Sequence, residues 1–320
     1  ARPFRERESG CAGKSLCKSL CKSLVRKIFK STEVKFRQGD TPSLVAASKY
    51  ELIGASDDEV LVFVDGDSGE KIGLYCHDRL AGEFINQLYD LVLNDKRLRK
   101  FITVLHRLDA IMSRSQVGHG GNRGANGGVE QLSYMTGWAG ANHFKRQPLP
   151  RLTSATVDDS YGLVSGVIDR LAAIAADRYQ SVLPELFAAQ REAILTNRLK
   201  LGHKELDTGF YQKLWTSMIF NVDTAAAVHM DRRNLASLNA IFCLRRSSVL
   251  TGGQLMLCDY RIGSRDGAWP VFRQNTGDLI LYPAYRSYHG VTPLYGRGRA
   301  TLVFYALKLA QGDQFGPGAT

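Results

Sequence analysis

The sequence predicts an α+β fold: a double-stranded β-helix, or jelly roll, with N-terminal helices packed outside it. Three observations carry this. Residues 238–245, 254–258, 269–272, 278–282 and 299–307 are short apolar or alternating segments. Turn signals separate them at Thr251-Gly252-Gly253, 263–267, Asn275-Thr276-Gly277 and Tyr295-Gly296-Arg297-Gly298, and strands this short and regular indicate a jelly roll or barrel. A cluster of metal-ligand residue types brackets the run, His229 and Asp231 before most of it and His289 near its end. Two long stretches with helical periodicity, 78–112 and 163–197, precede it and would buttress the outside of its larger sheet.

The bracketing residues define a candidate metal site. His229 and Asp231 are two apart, so on a strand both side chains leave the same face. A rolled-up sheet brings a remote strand carrying His289 alongside. Two imidazoles and one carboxylate fill one face of an octahedral ion and leave the opposite positions open. That donor set suits a non-haem Fe(II) that must also take a co-substrate and oxygen. On the last segment Arg299, Thr301, Val303 and Tyr305 share a face by the period of two. A fork-shaped guanidinium deeper in the same barrel suits the far carboxylate of a small diacid. Arg297 is the competing candidate, with the same parity but placed before Gly298 in the expected turn. Trp215, Ser217, Ile219 and Asn221 alternate onto one face of the entering strand, where Asn221 or Ser217 either helps hold the co-substrate or lines the core.

Together, His229-x-Asp231, Thr276-Gly277-Asp278-Leu279, His289-Gly290-Val291 and Arg299-x-Thr301 resemble the Fe(II)/2-oxoglutarate-dependent dioxygenases over residues 215–309. The resemblance implies Fe(II) held by His229, Asp231 and His289. It implies 2-oxoglutarate gripped at its distal carboxylate by Arg299 with help from Thr301, and hydroxylation of a C–H bond. Asn234, three residues past Asp231, is similar to the TET/JBP branch, which oxidises the methyl group of 5-methylcytosine or thymine in DNA. Members of that branch carry Asn or Asp there to hydrogen-bond the flipped base. Relatives that use ascorbate leave it open as co-substrate or reductant. Two other classes compete: the same chemistry on a protein side chain or small molecule, and a non-catalytic binding module on a barrel fold.

Five segments are expected along the 320 residues: a basic, disordered arm (1–32), a small β region plus helix (33–112), a Gly-rich loop with a helical buttress (113–210), the double-stranded β-helix catalytic core (211–310), and a tail (311–320). Residues 1–30 carry a net charge of +7 of the chain's +11, the composition of a tail that binds polyanions such as the DNA backbone. The Lys-Ser-Leu repeat at 14–24 would alternatively form an amphipathic helix, and Cys17 and Cys21 a metal pair. Strands at 59–64 and 71–75 flank a hairpin turn at 65–69. On the helix after them Leu80, Phe84, Leu88, Leu91 and Val92 fall on one side, and Lys96, Arg97, Arg99 and Lys100 form a solvated charge cluster.

Residues 118–128 hold six glycines. They read as a connector or as a lid over the barrel mouth, with His119, Asn122 or Arg123 touching substrate. Trp138, Asn142, His143 and Phe144 could stack on or hydrogen-bond a base, or simply pack. Pro184 is expected to split the second helical stretch. His77, His106 and His203 have no partners at ligand spacing. Cys11, Cys17, Cys21, Cys76, Cys243 and Cys258 show no disulfide framework and fit a reducing, intracellular compartment, which for a DNA substrate would be the nucleus. No apolar run approaches the ~20 residues of a membrane span, and no apolar segment of a signal peptide follows the basic start.

Overall fold

The computed structural model describes residues 22–31, 38–40, 42, 49–57, 59–104, 131–140, 150–197, 199–201, 204–206 and 210–309. In chain order the strands are β1 (Lys22–Lys30), β2 (Tyr50–Ile53), β3 (Glu59–Asp65), β4 (Lys71–His77), β5 (Thr103–Val104), β6 (Leu132–Ala139), β7 (Arg151–Leu152), β8 (Leu199–Leu201), β9 (Lys204–Leu206), β10 (Ser217–Val222), β11 (Asn239–Arg245), β12 (Thr251–Gly252), β13 (Leu255–Leu257), β14 (Tyr260–Ile262), β15 (Trp269–Phe272), β16 (Asp278–Tyr282), β17 (His289–Val291), β18 (Leu294–Tyr295) and β19 (Arg299–Tyr305). The main helices are α1 (Arg79–Asn94), α2 (Lys96–Arg99), α3 (Ser154–Val157), α4 (Gly162–Val182), α5 (Pro184–Thr196) and the single turn α6 (Tyr211–Leu214). The fold is mixed α+β and mostly sheet.

A large sheet runs β14-β1-β3-β4-β16-β11-β19-β10-β6-β5, and a smaller one β17-β13-β15-β2. Strand periodicity divides the buried side chains between two cores. From the large sheet, Ala240, Phe242, Leu244, Leu279, Leu281, Ala300, Leu302 and Phe304 meet the helices. The residues between them, Ile241, Cys243, Ile280 and Tyr282, turn the other way and join Leu255, Leu257 and Phe272 of the small sheet. Burial on both faces explains why β11 and β16 read as unbroken apolar runs. Phe272 meets Phe63 edge-on at 5.5 Å, tying the two sheets together.

Two of the longer helices begin where local signals place them. Asp78 caps α1 by accepting from Ala81 N at 3.0 Å, and Pro184 starts α5 at a position where its missing N–H costs nothing. The buried face of α1 is Ala81, Ile85, Leu88 and Val92. It is rotated from the expected one, since Leu80 is half exposed. From α5 the buried Gln190 accepts from Leu238 N at 2.8 Å and donates to Leu214 O at 2.9 Å. The helical layer is thereby pinned to the chain entering β11. The charge cluster on α2 is solvated as expected: Arg97 pairs with Asp95 and Lys100 with Asp158, both at 2.7 Å. Cys76, Cys243 and Cys258 are buried free thiols, and among the described residues no helix is long and apolar enough to cross a membrane.

Two expectations are corrected, and the open choice at Trp138 is resolved. Residues 22–30, assigned to the disordered arm or a helix, are strand β1, paired parallel to β3 and antiparallel to β14. Its basic residues conceal a strand because the large sheet has two neighbours for it, and Ile28 is buried between them. The β region at 59–77 is no separate unit, because β4 pairs with β16 of the expected core. Trp138 lies in β6 at 5% exposure, paired toward β7, and packs against Leu309 rather than offering a stacking face. Residues 1–21, which hold most of the arm, and the Gly-rich segment at 118–128 lie outside the described residues.

A pair of substitutions checks the strand. Ile28→Ala should lower unfolding free energy by about 2–5 kcal/mol, as for a buried aliphatic. Val25→Ala, 63% exposed on the same strand, should stay within about 0.5 kcal/mol. Both are read by urea denaturation, and equal small effects would return the segment to an unpacked arm.

Candidate metal centre

His229 and His289 face each other across an isolated antiparallel bridge, each N–H donating to the other's carbonyl at 2.9 Å. Such a doubly bonded pair fixes side-chain separation, and the two imidazole centroids lie 4.3 Å apart. Gly290 permits this approach. A Cβ there would stand 2.9 Å from Pro42 Cγ and 3.2 Å from Ala226 O and Val228 N, in the segment it crosses. Each ring is oriented by its own backbone: the Nδ1 of His229 lies 2.7 Å from Ala227 O, and that of His289 2.9 Å from Ser287 O. A carbonyl can only accept, so each ring carries a proton on Nδ1, which leaves Nε2 as the nitrogen available to a ligand. Burial, with His229 alongside, pushes the His289 imidazole well below its ordinary pKa and keeps it neutral.

Asp231 completes the group, its Oδ1 3.6 Å from His229 Nε2. Its other oxygen, Oδ2, accepts from Asn239 Nδ2 at 3.0 Å and from Asn234 Nδ2 at 3.3 Å. One oxygen is thus anchored and the other left for a ligand bond, the arrangement that outer partners impose on metal-binding carboxylates. Ligand atoms of His229, Asp231 and His289 all fall within 4.8 Å of one another. The donor set is a facial triad. Two neutral imidazoles and one carboxylate with open positions fit a non-haem Fe(II).

The triad opens into a cavity of about 310 Å³ between the two sheets. Arg299, Thr301, Val303 and Tyr305 line it from β19, with Ile219 and Asn221 from β10, as their alternation implies. Arg299 is 2% exposed. Its Nη1 donates to Thr224 O at 2.9 Å and its Nη2 to Gln274 Oε1, both uncharged acceptors, while Nε has no partner. Burial pushes the guanidinium pKa down to about 10, so it remains charged at neutral pH. Asp223, in the left-handed region at φ 50, holds the start of β19 by accepting from Gly298 N and Arg299 N at 2.8 and 2.9 Å. Gly253 leaves room for the side chain, since a Cβ there would sit 2.8 Å from Arg299 Cδ.

Arg297, the competing clamp, is exposed and outside the cavity lining. Trp215 belongs to the helix-side core rather than the cavity face, because it precedes the strand. Ser217 is committed to Trp138 O at 2.7 Å. His77 bonds the buried Asp278 at 3.0 Å, a packing role. His143, Arg123, His119, Asn122, His106 and His203 lie outside the described residues. Asn239, Gln274 and Asp223 carried no sequence signal that singled them out, and Gly253 reads in the sequence only as part of a turn.

No family model matches the chain, and no curated protein matches it. Several solved structures resemble it, three of them as follows. NgTET1 in complex with 5mC DNA aligns at a TM-score of 0.49 and 14% identity, over 78% of this chain and 76% of that one. A 2OG-Fe(II) oxygenase family oxidoreductase from Burkholderia pseudomallei aligns at 0.33 and 14%, over 59% and 74%. IDO from Bacillus thuringiensis aligns at 0.30 and 10%, over 72% and 95%. The chemistry of the site rests on its own geometry.

Asp231→Ala should abolish Fe(II) or Mn(II) binding in an anaerobic titration while leaving the melting transition nearly unchanged. Asn239→Ala should weaken binding by roughly 10–100-fold, the usual effect of removing a group that orients a ligand. Undiminished affinity in Asp231→Ala would remove the triad as a metal site.

Proposed function

We propose that the protein is an Fe(II)- and 2-oxoglutarate-dependent dioxygenase, its two-sheet core a double-stranded β-helix. We further propose that its substrate is the methyl group of a modified base, 5-methylcytosine or thymine, in DNA. The observation that carries the first part is a facial triad and a buried, incompletely bonded guanidinium lining one cavity. A buried donor without a partner costs about 1–3 kcal/mol, and one beside a full charge calls for an anionic acceptor. A carboxylate, with two oxygens for a fork of N–H groups, fits that need. The distal carboxylate of 2-oxoglutarate would meet Arg299 there, with Thr301 and Asn221 lining the same wall.

Iron, when bound, supplies the oxygen activation and electron transfer that hydroxylate a C–H bond; ascorbate is the alternative reductant. The chain's own residues do the rest. His229 and His289 present Nε2 to the metal, and Asp231 is steered by two amides. Val303, Ile241 and Leu255 give the cavity an apolar wall that limits water near the reacting centre.

Support for a nucleic-acid substrate comes from residues beside the mouth. Arg232 and Arg233 are exposed between Asp231 and Asn234, and the chain carries a net +11, both suited to a phosphate backbone. Asn234 lines the cavity but is 4% exposed, and its nitrogen is engaged by Asp231 and Asn239. Contact with a flipped base would therefore run through its carbonyl oxygen, as an acceptor for an N–H of the base. Hydroxylation of a protein side chain or small molecule is the second reading, favoured by the modest cavity.

Succinate release measured against methylated DNA, RNA, peptides and metabolites tests the proposal. Turnover on methylated DNA is expected, and turnover on peptides alone would shift the reading to the second class. In the same assay Arg299→Ala should raise the 2-oxoglutarate requirement by at least about tenfold, equivalent to one charge-assisted hydrogen bond, and leave DNA affinity unchanged. Asn234→Ala should lower turnover on methylated DNA at saturating iron, with the salt dependence of binding unaltered.

A further inference from the structure

Gln274 lies on the segment between β15 and β16, 2% exposed, lining the cavity beside Arg299. Its Oε1 accepts from Arg299 Nη2. A guanidinium offers only donors, so this contact settles which end of the amide is oxygen. The Nε2 group of the same amide is buried and without a partner. Two unpartnered donors, Gln274 Nε2 and Arg299 Nε, therefore belong to a pair of side chains already bonded to each other.

The backbone around Gln274 is held on both sides. Arg273 N donates to Ile53 O at 2.8 Å, and Arg273 O lies 3.1 Å from Tyr75 Oη. Asn275 N donates at 2.7 Å to the buried carboxylate of Asp278, which also accepts from Tyr75 Oη at 2.6 Å. A side chain anchored this firmly keeps its amide where it is before any ligand arrives, the condition for a preorganised site.

We propose that Gln274 positions the co-substrate and selects for its distal carboxylate, orienting Arg299 through Oε1 and donating to the ligand's carboxylate through Nε2. This inference rests on the 2-oxoglutarate reading above. Neutrality of the residue matters as much as its donor. A glutamate at this position would pair with Arg299, cancel its charge and present an anion to the incoming anion. Glutamine holds the guanidinium in place and leaves its charge for the ligand.

Isothermal titration of the full chain loaded with Mn(II), without oxygen, tests this. The probes are 2-oxoglutarate and 2-oxovalerate, a 2-oxo acid of the same length that lacks the distal carboxylate. Gln274→Leu should weaken 2-oxoglutarate by about tenfold, the loss of one hydrogen bond to a charged group. Gln274→Glu should weaken it further. Binding of 2-oxovalerate and of Mn(II) should be unchanged in both, so the preference for the dicarboxylate falls. Unchanged 2-oxoglutarate affinity in both variants overturns the proposal. Equal weakening of both 2-oxo acids also overturns it, since that marks a purely structural residue. A wild-type chain that binds Mn(II) but neither acid removes the co-substrate reading itself, and this inference with it.

Discussion

The paired backbone hydrogen bonds between His229 and His289 are the constraint on which the site depends. They join a segment that is not itself a regular strand to β17 of the small sheet, and they do so at the two residues whose side chains must converge. The bridge sets the spacing of the imidazoles, and the carbonyls at Ala227 and Ser287 set their tautomer. Asp231 is placed by the same logic, its N–H donating to Ala284 O at 3.0 Å. All three ligands are thus positioned by main-chain bonds, and metal binding need not organise them. The requirement that Gly290 lack a side chain follows directly from this close crossing.

At the other end of the cavity the problem is electrostatic. A guanidinium at 2% exposure has lost most of its hydration and is bonded only to neutral oxygens. Left so, a buried cation lowers stability, and here burial visibly depresses its pKa. The fold tolerates it because Asp223 lies close, its backbone and carboxylate bracketing the main chain of Arg299. Burial raises the pKa of the Asp223 carboxyl, and the neighbouring Arg299 charge opposes that rise.

The strands of the core were legible because burial on both faces forces near-continuous apolar runs, and turns rich in Gly and Asn end them. The observed β15 and β16 coincide with the expected segments. The triad and Arg299 were legible for a different reason: few residue types can do their work, and strand parity allows only some of them to converge. What escaped was whatever tertiary contact alone decides. β1 is basic and looks like a tail; only its two pairing partners make it a strand. Asn239 and Gln274 are ordinary amides until Asp231 and Arg299 are found beside them. The face of α1 was misjudged because Leu80 and Ala81 are both apolar, and packing against the sheet chose the smaller one.

Under the proposed function, Asn234 would tie substrate recognition to metal geometry. Its nitrogen bonds both Asp231 Oδ2 and Asn239 Oδ1, and Asn239 in turn bonds the same Asp231 oxygen. The three side chains form a closed ring of hydrogen bonds with the metal-binding carboxylate as one member. In a buried network of this kind each bond polarises its neighbours, and a change at one member is felt by the others. A ligand that accepts or donates at Asn234 would therefore alter how firmly Asp231 is held. Substrate at the mouth and the metal ligand would be coupled through two amides, with no movement of the backbone required. An apolar residue at 234 could line the same cavity, but it would leave Asp231 with one anchor and end that coupling.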